Sequence, residues 1–183
     1  MVRKRILTLW LCCICVTASG LAHGGLSPDM LKKLFPEAEN FVTRQKTLSA
    51  QAVAKVEQSS GAKVQELDKH LTAYVALAKD PQTSKSRSLG AVLMMDAKGT
   101  KGAIDLAVAY NLDGTVKKVL IVENKDDKSL ESAAFLKQVE GKRPADNWDL
   151  QKDFNLGTNP GSAREVILAV RRGMYLFLAF INP

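Results

Sequence analysis

Residues 102–122 read GAIDLAVAYNLDGTVKKVLIV, and this stretch decides the fold. Ile104, Leu106, Val108 and Tyr110 alternate with Asp105, Ala107 and Ala109, which is the two-residue period of a strand with one buried face. Asn111-Leu112-Asp113-Gly114 is a turn signal, and Thr115 to Val122 brings the chain back as an antiparallel partner. Upstream, Leu71 to Ala78 and Leu89 to Met95 have strand character. A polar connector over 80–88, with Pro81, Ser84 and Ser86, separates them. Strands that follow one another with no helix between them make a meander, not a βαβ unit. No GxGxxG or P-loop motif occurs, so Rossmann and P-loop folds have no support.

Helices flank this meander. Ser27 and Pro28 suit a helix start, with Leu31, Leu34 and Phe35 as its apolar side and Pro36 as its stop. A second helix is expected from near Ser49 to Gly61, carrying Ala52, Val53 and Val56 at helical spacing. Ser129 to Gln138 is expected to form a third, and residues 141–161 a loop. A long C-terminal helix then starts near Gly161. Val166, Ile167, Val170, Met174 and Phe177 form its apolar stripe, and Arg164, Arg171 and Arg172 its polar side. Met174 to Ile181 is apolar nearly all round. A run of eight is too short to cross a bilayer, so it packs on the sheet or on a partner through Met174, Leu176, Phe177, Leu178 and Phe180. The fold class is therefore α+β: an antiparallel sheet flanked by helices, with N-terminal helices and a long C-terminal one.

The 183-residue chain carries a formal charge of +7 and three cysteines, and both figures change by segment. Arg3, Lys4 and Arg5, the apolar run Ile6 to Val16 and the small residues Thr17 to Gly20 follow the pattern of an export signal. Cleavage is expected after Ala22, with Gly20 as the alternative, and the localisation is then periplasmic or otherwise exported. Cys12, Cys13 and Cys15 all lie inside that segment, so the mature chain has no thiol nucleophile, disulfide, iron–sulfur site or CxxCH haem attachment. Its charge falls to +4, which gives no argument for nucleic acid. His70 and the near-terminal His23 are its histidines. With no HExxH spacing they do not make a metal site, and no GxSxG motif accompanies the serines. The acidic cluster Glu123, Asp126, Asp127 and Glu131, alternating with Lys125 and Lys128, reads as a solvated turn.

The stretch with most chemical potential is Leu156 to Glu165, LGTNPGSARE. Asn159 can cap the last helix, Pro160 suits its first turn and Gly161 allows close backbone approach. Amides at such an end, with Arg164 nearby, suit a phosphate.

The order of these features resembles the FMN-binding domain family, which includes the periplasmic flavoprotein subunits of Rnf and Na⁺-pumping NADH:quinone reductase complexes. The resemblance covers nearly the whole mature chain. It runs from Leu26-Ser-Pro-Asp-Met-Leu and Leu34-Phe-Pro through the strand pair with Leu112-Asp-Gly-Thr-Val to Val119-Leu-Ile-Val-Glu-Asn. Phe135-Leu-Lys-Gln-Val-Glu-Gly-Lys142 is similar to the family's Phe-x-x-Gln-x-x-Gly-Lys stretch, and Ala169-Val-Arg-Arg-Gly-Met-Tyr175 lies in the last helix. With the signal peptide over 1–22, the chain is expected to divide into an N-terminal helical extension with the first strand over 23–80 and, as the resemblance implies, an FMN-binding-like domain over 81–183. The resemblance also implies FMN as cofactor, electron transfer as activity and membrane-associated redox proteins as partners, with the chain peripheral to the membrane.

The sequence departs from the family where the flavin attaches. Members usually carry Ser-Gly-Ala-Thr at the start of the last helix, and in many the Thr holds FMN by a phosphoester bond. Counting back from Val170-Arg171-Arg172 places that Thr at Pro160, and matching the glycine places it at Ala163. Neither has a hydroxyl; Thr158 and Ser162 have one but lie outside the full motif. The resemblance thus leaves Thr158, Asn159, Gly161, Ser162, Ala163 and Arg164 as the candidate cofactor-binding set, with any FMN held non-covalently. Two functions follow from it: an electron carrier or accessory subunit of a membrane-associated redox chain, or a flavin-free module that docks a membrane or periplasmic partner.

Overall fold

Five antiparallel strands form a single sheet in the order of the chain: β1 (Asn40–Thr47), β2 (His70–Lys79), β3 (Ser86–Lys98), β4 (Ala103–Asn111) and β5 (Val116–Asn124). The structure is a computed structural model that describes residues 25–182, so the expected export signal and its three cysteines lie outside the described residues. The helices are α1 (Pro28–Leu34), α2 (Ala50–Ser60), the short α3 (Ala133–Leu136) and α4 (Pro160–Ile181). The α+β class and the long C-terminal helix are as the sequence indicated.

The alternation in β4 sets the two layers. Ile104, Leu106, Val108 and Tyr110 face α4, together with Leu93 and Met95 of β3 and Val116 and Val119 of β5. Ala107 and Ala109 face the other way, joining Ala76 and Val92 under Leu31 and Leu34 of α1 and Phe35 just after it. Small residues on that second face let the short helix lie close to the sheet. Val166, Ile167, Val170, Met174 and Phe177 of α4 are all at most 1% exposed, so the expected stripe is the main core-forming surface. Each such side chain stabilises the fold by about 1.5–3 kcal/mol relative to exposure. Met174, Leu176 and Phe177 are taken up by this core, which leaves Tyr175 and the last turn of the apolar helix end partly exposed.

Three expectations need correction. Asn40–Thr47 is an edge strand that the sequence did not signal, because NFVTRQKT has no sustained apolar alternation and pairs on one side only. The helix expected over Ser129–Gln138 is instead a 3₁₀ turn (Lys128–Glu131) followed by α3. Ser132 ends the first and caps the second through its hydroxyl. Arg172 is not on an exposed polar side but only 6% exposed. Its Nε lies 2.8 Å from Asp68 Oδ2 as an ion pair without an aligned N–H···O bond, and its Nη2 donates to the Asp96 carbonyl at 2.9 Å. Asp68 belongs to a 3₁₀ turn (Leu67–Lys69) that flanks α4 and covers this side of it.

Candidate functional site

The start of α4 is positioned by the loop before it, and that loop is built from the Phe135–Lys142 stretch. Gln138 makes a two-way amide exchange with the backbone of Asn155, donating to its carbonyl at 3.1 Å and accepting from its N–H at 2.6 Å. Gly141, at φ 81°, turns the chain so that its N–H reaches the Val116 carbonyl at 2.7 Å. Lys142 then lies 5.0 Å from the Phe154 ring centre and 5.9 Å from that of Trp148. Trp148 and Phe154 are both 6% exposed, so the loop carries its own small core.

At the helix start, Asn159 is the N-cap and its Oδ1 accepts from the Ser162 N–H at 3.4 Å; Pro160 is the first helical residue. Ser162 and Ala163 are fully buried. Ala163 is therefore a core residue beneath the site rather than part of its surface. The Ser162 hydroxyl accepts from the Thr100 N–H at 2.9 Å and lies 3.0 Å from the Thr100 hydroxyl. Gly161 is where the β3–β4 turn comes nearest: a Cβ there would sit 2.9 Å from Thr100 Cγ2. Thr158, Gly161 and Arg164 are exposed, and Asn159 is half-buried.

Asp126 completes this arrangement. Its Oδ1 accepts from Asn159 Nδ2 at 2.8 Å and from the Asp127 N–H at 2.8 Å. Its Oδ2 accepts from the N–H groups of Lys101 and Gly102. Desolvation raises the carboxyl, but these donors and the Ser162 hydroxyl outweigh it and hold it below the usual carboxylate range. The structure thus joins Asn159, Gly161 and Ser162 of the expected set to two residues outside it, Thr100 and Asp126. Thr158 and Arg164 flank the group at the surface. Asp126 had read as part of a solvated turn; Gly99 and Gly102 bracketing a tight turn between two strands were the available signal for Thr100.

A phosphate at a helix N-terminus needs open N–H donors and space to approach them. Here the Ser162 N–H is taken by Asn159, the Asn159 amide and the 101–102 N–H groups are taken by Asp126, and the Asp126 carboxylate puts a negative charge among them. These residues do not fit a phosphate in the manner the resemblance implies.

Elsewhere, His70 is exposed with its Nδ1 3.1 Å from Thr47 Oγ1. Among the described residues no group of three His, Cys, Asp or Glu side chains is placed to hold a metal, and no helix is long and apolar enough to cross a membrane. Compared with known proteins, the chain matches no family model and no curated protein.

Proposed function

We propose that the chain is an exported, flavin-free accessory or binding module, built on an FMN-binding-domain-like fold and working beside membrane-associated redox proteins. The observation that carries this reading is the Asp126 carboxylate at the N-terminal end of α4. It accepts from the side chain of Asn159, the N-cap of α4, and from the turn N–H groups of Lys101 and Gly102, and so sets a negative charge beside the helix start. Two like unit charges 4 Å apart near a protein surface repel by about 4 kcal/mol before salt screening. The missing hydroxyl acceptor at Pro160 or Ala163 supports the same reading from the sequence. The alternative, an electron carrier with non-covalent FMN, rests on the resemblance alone.

The test is direct. Purified mature protein is expected to be colourless, of unmodified mass, and to take up no FMN when the flavin is titrated to millimolar concentration by calorimetry. A yellow protein, a mass increase of one FMN, or stoichiometric uptake at micromolar flavin would overturn the proposal.

A further inference from the structure

At its other end α4 borders a groove. Its last turns run antiparallel to α2: Arg171 Nη2 donates to the Ser59 carbonyl at one end, and Ser49 and Asn182 come together at the other. Between the two helices lies a cavity of about 510 Å³, within the size range of small-ligand sites. Val56, Tyr175, Leu178 and Ala179 supply apolar lining, and Ser49, Gln51, Ser59 and Asn182 polar lining. Tyr175 is fixed there because its hydroxyl donates to the Pro144 carbonyl at 3.0 Å. Tyr175, Leu178 and Ala179 are residues of the C-terminal helix that stay partly exposed.

The described lining carries a positive charge. Among the described residues that line it, Lys55, which is exposed, is the charged one. The negative end of α4 is already neutralised, because Lys46 Nζ donates to the carbonyls of Ala179, Phe180 and Asn182 at 2.8–3.3 Å. The first turn of α2, beside Ser49, carries no acidic residue. Apolar lining beside an exposed lysine suits a molecule with an acyl chain and an anionic head.

We propose that this cavity binds a free fatty-acid-type carboxylate, its chain along Val56, Tyr175, Leu178 and Ala179 and its head at Lys55. The site lies ~27 Å along α4 from Pro160, at about 1.5 Å per residue, so it goes beyond the flavin question and does not depend on its answer.

Calorimetry of the mature protein with decanoate below its micelle concentration tests this. Decanoate is expected to bind at one site per chain. Octanoate is expected to bind roughly 16-fold more weakly, since each buried methylene is worth about fourfold. Decyltrimethylammonium, with the same chain and the opposite charge, should fail to displace decanoate. Lys55→Glu, on an exposed face, should weaken binding about tenfold or more with an unchanged circular dichroism spectrum, and Lys55→Arg should retain it. Ala179→Phe, which adds bulk to the apolar lining, should abolish it. Absence of saturable decanoate binding, equal competition by the ammonium compound, or wild-type affinity in Lys55→Glu would each overturn the proposal.

Discussion

Substituting Asp126 with Asn probes whether the α4 start is self-satisfied. Four donors converge on the carboxylate: the N–H groups of Lys101, Gly102 and Asp127, and Asn159 Nδ2. Asparagine keeps one acceptor oxygen and turns the other into an NH₂ that must face two of those donors. A hydrogen bond to a charged group contributes about 1.5–3 kcal/mol when buried. Asp126 is only half-buried, and water takes over much of what is lost, so the expected destabilisation is about 1–2 kcal/mol in total. For a chain of this size that lowers Tm by about 2–8 °C. The pH dependence has a definite sign. The native carboxyl is held below its unfolded value, so its contribution is present above about pH 4 and is lost as the pH falls through the native value. Wild type and Asp126→Asn should therefore differ at pH 7 in urea denaturation, and the gap should narrow in acid as the pH falls through the native value. The substitution also removes the charge opposing a phosphate, so any rise in Tm on adding FMN should be larger in the variant than in wild type. A variant as stable as wild type at pH 7, or a gap that widens in acid, would refute the reasoning.

Asp68 should behave in the opposite way. Burial raises its carboxyl against the pull of Arg172, so the folded protein takes up this proton first and the gap between wild type and Asp68→Asn should widen from pH 7 toward pH 4. At neutral pH Asp68→Asn should cost less than about 1 kcal/mol, because burial already disfavours the charge it removes, whereas Asp68→Leu, which takes away the oxygen facing Arg172, should cost about 3 kcal/mol, with part of that recovered by adding Arg172→Met. At Gly173, a Cβ would run into Tyr110 Oη and come within 2.9 Å of Met95 Sδ. Gly173→Ala should therefore destabilise by about 1–2 kcal/mol, because overpacking outweighs the gain in helix propensity; a stabilised variant in urea denaturation would show that α4 has room to move.

What the sequence makes legible here is periodicity, and it is legible wherever one face of an element is fully buried. The alternation of β4 and the stripe of α4 are such cases, and their residues are at most 1% exposed. β1 lacks a clear pattern because an edge strand with Arg44 and Lys46 directed to one face and Thr43 and Gln45 to the other buries little on either side. Arg172 misleads for a different reason: a charged side chain signals solvent only if no partner comes to it, and its partner Asp68 is 104 positions away along the chain.

The same limit governs the candidate site, and it explains why the motif-based reading of residues 158–164 was incomplete. Thr100 and Ser162 are separated by 62 residues, and Asp126 and Asn159 by 33. No local pattern encodes their meeting, which follows from where the β3–β4 turn and the exit of β5 lie relative to α4. Two changes then coincide at one place. The position that bears flavin in the resembling family has no hydroxyl, and a carboxylate from another loop is bonded to the side chain of the helix N-cap, beside that position. Either alone would be compatible with a weakened flavin site, since a helix end can hold phosphate without a covalent bond. Both together point to a helix start kept for its structural contacts, with Asp126 performing inside the fold the charge-neutralising role that a phosphate would perform from outside.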